Sequence, residues 1–106
     1  PVQVKVLPIS EKYMDYANKV MDELKEAGIR TEIDDRAEKI GYKIREARLQ
    51  KIPYMLVVGA KEEEEGKVSV RSRFLGDEGA KALDEFIVSI KEEIKNRENR
   101  KVEVTE

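Results

Sequence analysis

The sequence contains neither cysteine nor histidine. Without cysteine the chain forms no disulfide and no thiolate metal site, and without histidine the other common zinc ligand is also absent. No apolar run approaches the roughly 20 residues of a membrane-spanning helix, and the start of the chain does not read as a secretory signal. These absences exclude a Ser-His or Cys-His catalytic pair and favour a cytoplasmic protein with no membrane partner.

Charge is what the sequence has in abundance. Charged side chains make up 42% of the 106 residues, and the net charge is −2. Residues 35–51 carry six basic and three acidic side chains, and residues 67–73 add three basic side chains and no acid. Such a basic zone on an acidic body gives a local positive potential that suits a polyanion. The alternative is an ordinary solvated helix face. The six basic residues are Arg36, Lys39, Lys43, Arg45, Arg48 and Lys51.

Short periodic apolar runs predict an α/β fold with the element order β-α-β-α-β-β-α. The chain has the length of one domain with a modest core. The first three strands should be parallel through right-handed crossovers, and the fourth should pair antiparallel with the third. We therefore expect a three-layer sandwich with a mixed sheet. The predicted strands cover residues 2–6, 29–34, 54–58 and 67–73, and the predicted helices cover 10–27, 38–50 and 83–94, with residues 59–66 as a loop.

Several polar and aromatic residues have two interpretations each. Asp34 and Asp35 end a strand where α/β folds often place functional carboxylates, but opening a turn and favouring the next helix N-terminus is the simpler role. The acidic run 62–65 could suggest a cation site, yet a solvated hairpin tip is favoured. Tyr42 and Tyr54 could stack on bases. Tyr54 begins a buried strand and is assigned to the core, whereas Tyr42 remains open.

Five segments, in this order and spacing, resemble the C-terminal anticodon-binding domain of bacterial threonyl-tRNA synthetases. They are PVQVKVLPISEKY, KVMDELKEAGIR, DDRAEKIGYKIREA, KIPYMLVVG and GKVSVRSR, and the resemblance extends from Pro1 to about Lys95. Single segments also resemble the related domains of prolyl-, histidyl- and glycyl-tRNA synthetases. The combination of EKIGYKIREA, KIPYMLVVG and GKVSVR favours the threonyl enzyme.

The resemblance implies a mixed sheet of five strands with three helices. The periodicity shows four strands, so the fifth is expected near Leu83 or at Val102–Val104. We expect the anticodon-binding domain to occupy residues 1–98, with 99–106 as a frayed tail. The resemblance also implies a domain without a catalytic centre or cofactor. ATP, zinc and threonine activation would belong to an upstream domain of a homodimeric, ATP-dependent threonine-tRNA ligase.

The resemblance further implies that the partner is the anticodon stem-loop of threonine tRNA. Threonine anticodons carry G in the middle and U at the 3′ end, and splayed loop bases expose edges that an arginine fork or a carboxylate can bind. We expect Arg71 and Glu62 to lie close together and to contact bases, and Lys43 to contact phosphate. The residues that match the family's contacts are Lys39, Lys51, Glu62 and Arg71, and the basic helix adds Lys43 and Arg45.

One position departs from the family pattern. Ala37 stands where Asn usually follows Asp-Arg, and alanine can neither donate nor accept the hydrogen bonds of an amide. This puts one base or backbone contact in doubt. Two other functions remain open on the sequence. One is the anticodon-binding domain of a sister synthetase, and the other is a stand-alone regulatory or interaction module with this fold.

Overall fold

The computed structural model describes the backbone of residues 2–105 and the side chains of residues 2–97. Its core is a five-stranded mixed sheet with the strand order β2-β1-β3-β4-β5. β1 pairs in parallel with β2 and β3, whereas β4 pairs antiparallel with β3 and β5, as the sequence predicted for the first four strands. The strands are β1 (Val4–Pro8), β2 (Thr31–Ile33), β3 (Tyr54–Val58), β4 (Lys67–Ser72) and β5 (Gly76–Ala82).

Helices cover both faces of this sheet, which confirms the three-layer sandwich. α1 and α4 bury a large apolar cluster against one face, with Leu24 and Phe86 packed on Leu56 and Val70. α2 buries a smaller cluster on the other face, where Ala47 packs near Leu7, Met55 and Ile52. None of the described helices is both long and apolar enough to cross a membrane. The helices are α1 (Met14–Glu26), which follows a 3-10 turn, α2 (Ile40–Leu49), α3 (Ala60–Glu65) and α4 (Leu83–Thr105).

Segment 59–66 is the clearest correction to the sequence prediction, because it forms the short helix α3 rather than a loop. The Glu62 Oε1 atom accepts a hydrogen bond from the Gly59 backbone N–H at 2.8 Å, which satisfies a donor at the start of the helix. Gly66 ends it with a left-handed backbone (φ +67°). The fold therefore has four helices where three were predicted. The four adjacent glutamates lie on a helix and not at a hairpin tip.

The fifth strand, β5, ends directly before Leu83, at the first of the two positions that the sequence left open. Its sequence, GDEGAKA, has only alanine as apolar side chains, because this edge strand buries little of its surface. The second predicted position, Val102–Val104, belongs to α4. The α4 backbone is helical through most of the predicted tail 99–106, whose side chains lie outside the described residues. The domain boundary at residue 98 stays a prediction.

The first two strands also differ from their predicted limits. β1 begins later and extends through Leu7 and Pro8, which are both buried. Proline fits at this strand end because it needs no ladder donor. Ladder pairing in β2 is limited to three residues. Gly28 closes α1 as predicted, with a left-handed backbone and the Ile29 N–H bonded to the Leu24 carbonyl.

Candidate nucleic-acid interface

The sheet face that α2 packs on is only half covered. α2 lies over β1 and β3, so the alternate side chains of β4 on this side remain partly exposed. These are Lys67, Ser69 and Arg71, and we call this surface the open face. Val68 and Val70 point to the opposite, fully buried side. The strict alternation of β4 therefore separates core residues from a polar strip.

Helix α2 runs opposite to β3, which distributes the predicted site residues along the open face. Lys39 begins α2 near the carboxyl ends of the parallel strands, on the side where Glu62 lies on α3. Lys51 follows the end of α2 and lies near the start of β3, where Arg71 pairs with Met55. Arg45 lies exposed on α2 between the two ends. Lys39 and Glu62 thus lie at the end of the sheet where the parallel strands finish, Lys51 and Arg71 lie at the end where β3 starts, and Arg45 lies between them.

Arg71 and Glu62 do not lie side by side, which corrects one sequence expectation. Glu62 belongs to the segment that joins β3 to Lys67, and Arg71 lies four residues further along β4. Four strand residues correspond to about 13 Å. Arg71 pairs with Met55 and Glu62 is held at Gly59, four residues after Met55, so contact of the two side chains with neighbouring nucleotides stays a prediction.

Arg71 is held only loosely by the protein itself. Its Nη2 atom lies 3.7 Å from Asp77 Oδ2 on the neighbouring strand β5, and about a third of the side chain is exposed. An exposed pair at this separation adds little stability and forms no good hydrogen bond. The donors of the guanidinium group are therefore available to a ligand.

Lys43 is buried in this structure, and its expected contact with phosphate stays a prediction. Only 3% of the residue is exposed, although it lies in the basic stretch of the sequence. Its Nζ atom donates to the carbonyl oxygens of Pro8 at 3.2 Å and Asp34 at 3.0 Å. These carbonyls lie at the ends of neighbouring parallel strands. Lys43 therefore fastens α2 to the carboxyl edge of the sheet.

Arg36 is also engaged within the protein. Its guanidinium group donates to both oxygens of buried Asp34, at 2.9 and 2.8 Å, and to Glu46. It also lies 5.6 Å from the centre of the Tyr42 ring. Hydrogen bonding from Arg36 lowers the pKa of Asp34 and of Glu46, and the hydrogen bond with Glu46 raises the pKa of Tyr42.

Two of the six basic residues in segment 35–51 are thus used internally. The other four are exposed and form no ion pair with the described side chains. They are Lys39, Arg45, Arg48 and Lys51. This exposed charge on α2 borders the open face.

The two aspartates after β2 have different environments. The Asp34 Oδ1 atom accepts from the Arg36 N–H at 3.2 Å, so this residue does open the turn as predicted. Neither aspartate stabilises a helix N-terminus, because α2 begins only at Ile40 and has no acid in its first turn. Asp35 and Ala37 are exposed in a cleft of about 600 Å³ beside Lys39. Alanine offers no side-chain hydrogen bond there.

Lys51 has an uncommon backbone conformation that the sequence prediction missed. Its φ angle is +59°, the one positive value outside glycine among the described residues. The Ile52 N–H bonds to the Ala47 carbonyl, which closes the helix around this residue. Glycine is the usual residue at such a helix end, so the sequence carried no sign of it. The conformation holds an exposed lysine at the border of the open face.

Two aromatic residues complete the description. Tyr54 packs edge-on against Phe86 with ring centres 5.4 Å apart, and its hydroxyl donates to Glu93, which confirms its assignment to the core. Burial, together with this carboxylate, raises the pKa of Tyr54. Phe74 was missed by the sequence interpretation. It is 63% exposed in the turn between β4 and β5, three residues after Arg71. The spacing of residues in the sequence does not show that Phe74 lies near two elements that carry arginines.

Comparisons with known proteins agree with this geometry. The family model for the anticodon binding domain matches residues 3–93 of this chain. The threonine–tRNA ligase of Clostridioides difficile (strain 630) is 64% identical over 99 residues, which cover 93% of this chain and 16% of that protein. The chain therefore spans about a sixth of the length of the curated relatives it matches.

Solved structures resemble the fold closely. The RNA-binding domain of threonyl-tRNA synthetase from Cryptosporidium parvum Iowa II superposes with a TM-score of 0.82 and 38% identity, over 87% of this chain and 23% of that chain. Prolyl-tRNA synthetase from Cryptosporidium parvum gives a TM-score of 0.81 at 28% identity, over 94% of this chain and 22% of that chain. The fold is shared between the two, and the sequence similarity is higher for the threonyl protein.

Proposed function

The chain belongs to the anticodon-binding domain family, and from this we propose that it binds and discriminates the anticodon of threonine tRNA as one domain of a threonyl-tRNA synthetase. The observation that carries the proposal is the 64% identity to a threonine–tRNA ligase over nearly the whole chain. The prolyl protein, which has the same fold, is 28% identical. The open face supplies the chemistry that this function needs.

The residues on and around the open face have distinct roles in this proposal. The exposed cations of α2 contact the phosphates of the loop and set its position, because phosphate contacts carry no sequence information. Arg71 reads a base edge, since its guanidinium offers two parallel donors to guanine O6 and N7. Glu62 keeps one carboxylate oxygen on the Gly59 N–H and presents the other to a second base. Lys39 and Lys51 bind phosphate at the two ends of the face.

The rest of the parent protein follows as a set of proposals. This domain acts without a cofactor, and ATP and zinc serve an upstream catalytic domain that activates threonine. The parent enzyme is a homodimeric threonine-tRNA ligase in the cytoplasm. Among the described residues, no three Asp or Glu side chains converge on a point that could hold a metal ion.

A two-by-two affinity comparison tests the specificity of Arg71. The ligands are an anticodon stem-loop with a threonine anticodon and the same stem-loop with a changed middle base. Arg71→Ala should lose roughly 1–3 kcal/mol on the threonine loop and much less on the changed loop, because a bidentate base contact is lost. Arg45→Ala is the matched control and should weaken both loops about equally. Equal losses for Arg71→Ala would reduce this residue to a backbone contact.

Two further arms examine the other parts of the interface. The affinity of the unmodified chain should fall steeply with salt, with a slope near −0.7 per neutralised phosphate. Glu62→Gln should keep the cap on Gly59, because its amide oxygen can still accept, while the charge is lost. A drop in affinity with unchanged stability supports base contact by Glu62. Tighter binding of a proline, histidine or glycine stem-loop than of the threonine loop would assign the chain to a sister synthetase. Failure to bind any stem-loop at low salt would favour a stand-alone module.

A further inference from the structure

The turn between β4 and β5 carries the most exposed pair of apolar side chains in the described part of the fold. Phe74 is 63% exposed and Leu75 is 77% exposed, and they follow one another in the chain. A large aromatic ring exposed to this degree has no role in the core, since both apolar clusters are formed without it. Exposed apolar groups beside charged ones often mark an interaction surface.

Two cationic groups lie near the Phe74 ring, which remains 63% exposed. The guanidinium carbon of Arg73 lies 5.7 Å from the ring centre, and that of Arg97 on α4 lies 6.0 Å from it. Both distances are within the range of a cation–π contact. The two arginines restrict the ring and surround it with positive charge. The arrangement therefore combines an accessible π surface with donors for phosphate.

A chain of contacts from the core fixes this arrangement. The Tyr54 hydroxyl donates to Glu93 Oε2, and Glu93 Oε1 accepts from Arg97 Nη2 at 2.7 Å. Tyr54 itself packs on Phe86 in the larger apolar cluster. Arg97 is thus held in place by a residue that is anchored in the core. Because Arg97 lies within cation–π distance of Phe74, this contact restricts the ring, and such restriction lowers the entropic cost of binding.

The turn follows the end of β4 that carries Arg71, and the Phe74 ring lies beside Arg97 of α4, the helix that covers the face opposite to the open face. Arg71 lies on β4 three residues before Phe74, and the Arg73 N–H bonds to the Pro53 carbonyl beside Lys51 at 2.8 Å. β4 has six residues, and the distance from Lys67 to Ser72 is about 17 Å. An RNA strand that follows the open face from Glu62 toward Arg71 reaches this turn at the end of β4, and it contacts Phe74 by passing around the end of the sheet.

We propose that Phe74 is a stacking platform for an unpaired base of the anticodon loop that extends past Arg71 around the end of β4. Aromatic side chains with flanking arginines bind unpaired bases through their π faces, largely independent of sequence. The positive surroundings favour RNA over an apolar protein segment as the occupant. This inference rests on the proposed function, which supplies the RNA, and it assigns a contact that the predicted site residues do not include.

The test compares Phe74→Ala, Phe74→Tyr and Val88→Ala in the 106-residue chain. Val88 is the matched control, because it is 59% exposed on α4 and lies in neither apolar cluster. The probe is a threonine anticodon stem-loop, unlabelled for affinity and with single 2-aminopurine substitutions in the loop for fluorescence. Circular dichroism and urea unfolding confirm that each variant is folded.

Phe74→Ala should weaken binding by roughly 5- to 150-fold, because one base–aromatic stack is lost. Phe74→Tyr and Val88→Ala should bind within about twofold of the unmodified chain, since the first keeps the ring. The salt slope should not change in Phe74→Ala, because stacking on an apolar ring neutralises no phosphate. One 2-aminopurine position should be quenched on binding, and this quenching should disappear in Phe74→Ala alone.

The opposite results are equally clear. Normal affinity of Phe74→Ala for the stem-loop overturns the platform and leaves the proposed function intact. Loss of stability of a longer ligase carrying Phe74→Ala, with normal RNA binding, would show that the turn contacts another part of that protein instead. If the unmodified chain does not bind the stem-loop at low salt, the proposed function fails first and the platform fails with it.

Discussion

At the scale of single residues, lysines that look alike in the sequence have opposite environments in the fold. Lys39 and Lys43 are four residues apart and belong to the same basic stretch. Lys39 is exposed at the start of α2, whereas Lys43 is buried with its ammonium group on two strand-end carbonyls. Position on the helix decides between solvent and core. The charge of Lys43 serves the fold, and that of Lys39 is available to a ligand.

This difference predicts opposite effects on stability. Lys43→Met keeps the length of the stem but leaves two backbone carbonyls without their charged donor. We expect it to lower the free energy of unfolding by about 1.5–3 kcal/mol, which is typical of hydrogen bonds to charged groups. Lys39→Met should change stability by less than about 0.5 kcal/mol. Urea unfolding monitored by circular dichroism measures both.

The same two variants separate a structural role from a phosphate contact. At a temperature where Lys43→Met remains folded, its salt slope for the stem-loop should equal that of the unmodified chain. Lys39→Met should reduce the slope by about 0.7, the value for one phosphate contact on a single strand. A reduced slope for Lys43→Met would show that the buried lysine moves out to contact RNA.

At the scale of secondary-structure elements, the ends of α2 matter more than its middle. α2 is fastened at its start by Lys43 and closed at its end by Lys51 in a left-handed conformation. A left-handed backbone costs roughly 1–2 kcal/mol for a residue with a Cβ atom. Glycine is the easier residue at such a position, and in the proposed function the lysine side chain supplies a phosphate contact there.

The end of α2 therefore predicts a trade-off between stability and binding. Lys51→Gly should raise the free energy of unfolding by about 0.5–1 kcal/mol, because the relief of backbone strain exceeds the added entropy of the unfolded chain. The same variant should bind the stem-loop more weakly and with a smaller salt slope.

Arg48→Gly is the matched control for this change. Arg48 lies within α2, where glycine costs about 1 kcal/mol, so this variant should be less stable. Urea unfolding and a salt titration report both properties. Lower stability of Lys51→Gly would mean that interactions of the lysine side chain outweigh the backbone strain.

At the scale of the whole molecule, the sheet sorts charge that the sequence mixes. The net charge is −2, yet the open face is bordered by exposed cations of α2 and by Arg71. Internal contacts remove two of the basic residues from this surface. The acids of 62–65 lie on α3, beyond the carboxyl end of β3. Local potential, and not net charge, governs which polyanion approaches.

The whole chain is expected to fold by itself and to lack activity. Two apolar clusters and a closed set of helix ends provide an independent core, so urea unfolding should be a single cooperative transition. Threonine-dependent ATP–pyrophosphate exchange should stay at background, because the proposed function assigns threonine activation to an upstream domain. Exchange above that of a heat-inactivated sample would contradict this expectation.

The sequence by itself determined the parallel order of the first three strands, the antiparallel fourth strand, the three layers and the family. These features follow from local periodicity and from short segments whose spacing is preserved. The sequence pattern did not reveal β5 and α3. β5 has almost no apolar side chains, and α3 depends on one capping contact between Glu62 and Gly59. Strand pairing forms β5 and capping forms α3, and neither produces a periodic pattern of apolar residues.

The candidate site, like the fold, was predicted only in part from the sequence. The residue types of the open face were predicted, but only the tertiary structure decided which of them are exposed, paired or buried. Arg71 and Glu62 lie at different ends because strand register, which depends on the turn that α3 forms, sets their separation. Lys43 is buried and Phe74 is exposed because packing between distant segments decides solvent access. Spacing in the sequence gives the distance between residues along the chain, whereas a binding surface depends on the distances between them in space.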